Sequence, residues 1–209
     1  PNYKGLDDWQ LALRKNAGKA PKTMTFRERY LHGACEVSEI DACVERWHKA
    51  QPDGVSLQAY LGLPDEEYHA FLQPGGNARL AELLNAQRKQ IGCRIYQLEF
   101  TDTEKTKPFA FSGIDALRKA GFQQPPASEY RLVRDETLYC PKDEPDLAVL
   151  ERVFDRYNGK LPTDYPGRCI APSDVLELYD AEKRRYYYRD MKQFVPVAFS
   201  PLMARPIQK

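Results

Sequence analysis

The chain has 209 residues, 42% hydrophobic and 29% charged, with 31 basic against 30 acidic side chains. These proportions are ordinary for a soluble globular protein of one large or two small domains. A net charge of +1 argues against a generally basic nucleic-acid binder, and the apolar runs fall far short of the roughly 20 residues that span a bilayer.

The first residues, PNYKGLDDWQ, lack a basic region followed by an apolar core, so no secretory signal is expected. The five cysteines (Cys35, Cys43, Cys93, Cys140, Cys169) are odd in number, irregularly spaced and without a CxxC. That pattern predicts reduced thiols in a cytoplasm.

Taken in chain order, residues 1–30 form a basic arm, with a short helix suggested by Leu6, Trp9, Leu11 and Leu13. Thr25 with Glu28 three residues on spells a capping box for a helix over Phe26 to Ala34. Ser38 is placed to cap the next helix, whose stripe Ile40, Cys43, Val44 and Trp47 runs to about Ala50. Ser56 opens a short helix through Tyr60. Leu61-Gly-Leu63 turns the chain, and Pro64 introduces another helix with Tyr68, Phe71 and Leu72 inward. This pair has the outline of a DNA-binding helix-turn-helix. Its second helix, however, opens with Asp65, Glu66 and Glu67, which would oppose phosphate. Arg79 to Lys89 predicts one more helix.

After Gly92 the periodicity changes from helical to alternating. Cys93 to Phe100 and Tyr130 to Arg134 are predicted strands. Between them Ser112 and Gly121 bracket a helix. Leu138 to Pro145 is expected to be a loop, followed by a helix carrying Leu147, Leu150, Val153, Phe154 and Tyr157. Asp174 to Tyr179 and Arg184 to Asp190 form the clearest strand pair, joined by a turn over Asp180 to Lys183. The expected architecture is α+β. An all-helical N-terminal module (residues 1–90) precedes a small mixed domain (residues 91–209) ending in a β-hairpin.

The stretches Arg94-Ile-Tyr-Gln-Leu98, Phe111-Ser-Gly-Ile-Asp-Ala-Leu117, Tyr130-Arg-Leu-Val133, Ser173-Asp-Val-Leu-Glu-Leu178 and Tyr186-Tyr-Tyr188 resemble the YodL-like domain. The likeness covers about residues 93–199, and its motifs are structural, so it brings no catalytic residues. The Trp47-His48 helix with Tyr60-Leu-Gly-Leu63 resembles a helical module met in proteins of mobile elements. The resemblance implies a cytoplasmic accessory protein of a mobile genetic element. Such elements often encode antirestriction and anti-CRISPR inhibitors.

A search for chemistry finds little. His32, Cys35, Cys43 and His48 make an H-x2-C-x7-C-x4-H run, but Cys43 sits on an apolar stripe and His48 falls well around the helix from it. No His follows His69 to activate Cys169 or Ser173, and no phosphate-cradling glycine motif occurs. Asp143, Glu144 and Asp146 straddle a helix start, where acids are commonplace. No enzyme activity, metal or cofactor is expected. The remaining candidate is a binding surface on the hairpin: Lys183, Arg184, Arg185, Tyr187, Arg189 and Lys192. Arg and Tyr favour protein interfaces, and the same mixture serves single-stranded nucleic acid. The leading expectation is a non-enzymatic protein that binds another protein and inhibits a host defence. The alternative is a nucleic-acid-binding regulator using the basic arm and the hairpin. No membrane partner is expected.

Overall fold

The computed structural model describes residues 24–50, 52–99 and 103–207. The short helix expected near Trp9, and most of the basic arm, lie outside the described residues. The chain divides into two compact units. The described residues of one are 24–90 with 138–144; those of the other are 91–137 with 145–207.

The helical unit begins with α1 (Phe26–Leu31). Its capping box forms as the sequence predicts: the Glu28 carboxylate accepts from the Thr25 N–H at 2.8 Å while the Thr25 hydroxyl accepts from the Glu28 N–H at 3.3 Å. Helix α2 (Ile40–Ala50) follows a 3-10 turn, Val37–Glu39. The cap here is Glu36 rather than Ser38, because the Glu39 side chain folds back onto the Glu36 N–H at 3.1 Å. Ser56 caps α3 (Leu57–Leu61), and Gly62 ends it at φ 73°, where a side chain would strain the backbone and strike Thr25. Then come α4 (Asp65–Leu72) and α5 (Gly76–Gln87), the latter starting three residues before Arg79 because Gly75 turns the chain at φ 73°.

Phe26, Tyr30, Leu31, Ile40, Leu61, Leu63, Leu80 and Leu84 bury together as this unit's core. Each contributes on the order of 1.5–3 kcal/mol by leaving water. Glu67, one of the three acids that argued against DNA docking, is itself buried at 4% exposure. Arg27 holds it at 2.8 Å and Gln87 at 2.9 Å, as a buried carboxylate requires. Residues 138–144 belong to the same unit. The ring of Tyr139 lies where a Cβ on Gly33 would stand, and Lys142 N donates to Gln87 O at 2.8 Å.

The second unit contains most of a five-stranded sheet ordered β2-β1-β3-β4-β5, of which residues 88–90 and 138–141 are counted with the helical unit. The strands are β1 (Arg88–Leu98), β2 (Tyr130–Pro141), β3 (Val175–Tyr179), β4 (Arg184–Arg189) and β5 (Phe194–Val197). Between β1 and β2 lie α6 (Thr103–Thr106) and α7 (Ile114–Lys119); α8 (Asp146–Arg156) follows β2. The β1–β3, β3–β4 and β4–β5 pairs are antiparallel. The loop expected over residues 138–145 is strand as far as Pro141. The polar run Asp135-Glu-Thr137 had hidden its alternation. The hairpin is extended by β5, which Pro196 had masked.

Register sorts the side chains onto two faces. Cys93, Ile95, Leu176, Leu178, Tyr187 and Arg189 share one, and the apolar stripe of α8 (Val149, Leu150, Val153, Phe154) is buried with them. The other carries Tyr96, Val175 and Tyr188, packed with Phe109, Ile114, Leu117 and Tyr130. Next to them lie the row Arg94–Glu177–Tyr186 and the row Gly92–Tyr179–Arg184, of which Arg94 and Arg184, with Tyr96, line an open groove.

Candidate interaction groove

The hairpin turn is set by Asp180, whose carboxylate accepts from the N–H groups of Glu182 and Lys183, both at 3.0 Å. These bonds hold its carboxyl below the usual range. The six expected binding residues leave this turn in different directions. Lys183 and Lys192 are exposed. Arg184 lies on the groove face and donates to Glu177 at 2.6 Å.

Arg185, Tyr187 and Arg189 point to the opposite face, under α8. Arg185 and Tyr187 both donate to Asp146, at 2.5 and 2.6 Å. Burial first, and then the Asp146 carboxylate, push the Tyr187 hydroxyl up to about 12. Arg189 is 5% exposed. Its guanidinium lies 4.0 Å from the ring centre of Phe154 and 5.0 Å from that of Phe194, and burial lowers its pKa. Arg189 and Tyr187 are therefore part of the packed interior and are withdrawn from the solvent-facing surface expected of them. The reason is the two-residue period of a strand: only alternate residues of β4 can share Arg184's side.

What the structure assembles instead is centred on Glu177, which has no exposed surface. Tyr96 donates to it at 2.9 Å and Tyr186 at 3.3 Å, while Arg94 pairs with it at 3.5 Å. The carboxylate is thus satisfied from both neighbouring strands. Burial, followed by Glu177's negative charge, raises both tyrosine hydroxyls. Arg94 also pairs with Asp135 at 2.8 Å, and Tyr179 donates to the same carboxylate at 2.7 Å. Both Arg94 and Arg184 stack on the Tyr179 ring, at 4.5 and 5.2 Å. That ring occupies the space over Gly92, where a Cβ would fall 2.1 Å from it.

The facing wall is the segment 199–206, which includes the 3-10 turn Pro201–Met203. It is tied to the edge of β2 by Arg205 N donating to Tyr130 O at 2.8 Å and Leu132 N donating to Arg205 O at 2.9 Å. Between this wall and the sheet lies an open groove of about 690 Å³, lined by Arg94, Tyr96, Leu132, Arg184, Phe199 and Arg205, among others. Leu202 stands at its rim with 97% exposure, and Met203 in the same turn with 64%. The sequence reading found Arg184 of this set and missed Glu177, Arg94, Tyr179 and Arg205. One signal was available: a Glu between two leucines in an otherwise apolar strand must find cations or hydroxyls.

The other weighed groups lie elsewhere. Ser173 is buried at φ 81° and accepts from the Phe111 N–H at 3.2 Å. Asp174 beside it receives Arg168 through two bonds, at 2.6 and 2.8 Å, plus the Ala171 N–H at 2.9 Å. Burial raises its pKa despite these bonds. In the helical unit His32 lies 3.3 Å from Glu144, and Arg46 donates to the Cys43 sulfur at 3.0 Å. Among the described residues no group of three or more His, Cys, Asp or Glu side chains could hold a metal ion. No helix among them is long and apolar enough to cross a membrane.

The family model of the YodL-like domain matches residues 92–199, just over half of the chain. The chain belongs to this family. The match takes in the strands β3, β4 and β5, the buried Glu177 cluster and Phe199 of the groove. No curated protein and no solved structure matches the chain. The YodL-like domain here is a sheet covered on one face by α8 and only partly covered on the other.

Proposed function

We propose that this protein is a non-enzymatic accessory protein of a mobile genetic element that works by binding another protein. The groove of the YodL-like domain is the contact surface. The supporting observation is the open groove itself, apolar along the 199–206 wall, with Leu202 and Met203 projecting beside it. Large apolar side chains held out in water next to an apolar groove wall make a contiguous patch of the kind that a partner covers. Inhibition of a host defence, of the anti-CRISPR or antirestriction kind, is the role that the family resemblance adds to this reading. The nucleic-acid alternative has less in its favour. Tracking phosphates needs accessible cations in a row, whereas along β4 only Arg184 is open: Arg185 is engaged with Asp146 under α8 and Arg189 is enclosed.

The test is affinity capture by the full chain from cells of its own host, with and without nuclease. It is run alongside a double variant, Leu202→Asp with Met203→Asp. A protein captured by the wild type should survive nuclease and be lost from the variant. Capture that disappears with nuclease, or that the variant leaves unchanged, would overturn the proposal.

A further inference from the structure

We infer that the groove takes an extended polypeptide segment in which a carboxylate side chain lies next to a large apolar one. This rests on the protein-binding reading above and names the chemistry of the partner. The first ground is the depth at which each charge sits. Arg184 and Arg205 keep side-chain exposures of 50% and 43%, while their partners Glu177 and Glu99 keep 0% and 15%. The acids lie beneath and the guanidiniums lie on top, so the charge presented to an incoming group is positive even though each pair is internally compensated. Arg184 reaches Glu177 through one nitrogen, and its planar fork has further donors for a second carboxylate.

The second ground is the wall. Phe199, Pro201 and Leu202 offer an apolar surface beside those cations, so a ligand of pure charge would leave half of the groove unfilled. Nucleic acid fits less well. The Tyr179 ring is stacked by Arg94 and Arg184, and the Tyr96 hydroxyl is held by Glu177. These rings are therefore not displayed as platforms for bases.

The test uses the full chain as bait for a displayed library of random peptides. The selected peptides are then measured by fluorescence anisotropy against two variants, Leu202→Asp and Leu202→Lys. Leu202 is almost wholly exposed, so both variants fold and differ only in the sign placed at the rim. Peptides rich in Asp or Glu beside Leu or Phe are expected. They should bind Leu202→Asp about tenfold more weakly than Leu202→Lys, with the gap shrinking at high salt. Neutral or basic peptides that prefer Leu202→Asp would overturn the acidic assignment and leave the protein-binding reading standing. Peptides indifferent to both variants would overturn the groove as the site. If no peptide is selected while single-stranded oligo(dT) binds, both readings fall.

Discussion

Glu177 shows how a single side chain fixes its neighbours. A carboxylate with no exposed surface costs several kcal/mol unless paired, and here two arginines and two tyrosines are drawn to it. Glu177→Ala should therefore destabilise the protein by roughly 3 kcal/mol, since it strands the two tyrosine hydroxyls and removes Arg184's carboxylate, while Arg94 keeps Asp135. A chemical-denaturation midpoint equal to wild type would show that the cluster does not hold the sheet. Gly92→Ala should cost about 1–3 kcal/mol by forcing the Tyr179 ring aside, measured in the same way. At this scale the sequence was legible only in part. Glu177 is visible as a charge in an apolar strand. Gly92 is not, because the ring that crosses it lies 87 positions away in the chain, at Tyr179.

At the scale of elements, periodicity located most of the architecture. The Thr25 capping box, the Ser56 cap and the apolar stripe of α8 each rest on local spacing, and each stands where the spacing puts it. The errors came where distant partners overrode local preference. The polar run 135–137 hides the strand that continues into the loop expected from Leu138, yet Asp135 is held by Arg94 and Glu136 accepts from Tyr157 at 2.9 Å. Strand β4 gives the sharpest case. Its basic-aromatic composition is visible in the sequence, but which side chains face solvent depends on what covers each face. Because Arg189 is packed between Phe154 and Phe194, Arg189→Met should be neutral or stabilising by about 1–2 kcal/mol. Arg189→Glu, by contrast, should unfold the sheet domain. Thermal melts of the two variants check this, and equal melting of both would place Arg189 at the surface.

Tyrosine burial gives the whole molecule a response to alkali. Burial, and then a nearby carboxylate in each case, pushes the Tyr157 and Tyr187 hydroxyls up to about 12, while Tyr96, Tyr130, Tyr165 and Tyr188 are raised further by enclosure. A free tyrosine ionises near 10. A native pKa above the unfolded one means that this stabilisation is fully present below about pH 10 and is lost as pH rises through about 12. Tyrosinate absorbance should thus lag behind that of free tyrosine and appear together with the loss of near-UV circular dichroism. Smooth ionisation near pH 10 with the fold intact would contradict the burial.

The return of residues 138–144 to the helical unit bears on how the chain is made. A fragment ending at Gln90 holds every helix of that unit, yet lacks Tyr139 over Gly33 and the Lys142–Gln87 bond. It should show helical circular dichroism with a broad, weakly cooperative melt, whereas full length melts sharply. During synthesis, domains generally fold from the N-terminus as they emerge. This one cannot be completed on that schedule. Its last piece is translated only after β1 and most of β2 have been made, so the ribosome delivers the first half of the sheet before the helical bundle can close. The timetable of translation thus leaves unfinished helices waiting on a strand still to be synthesised.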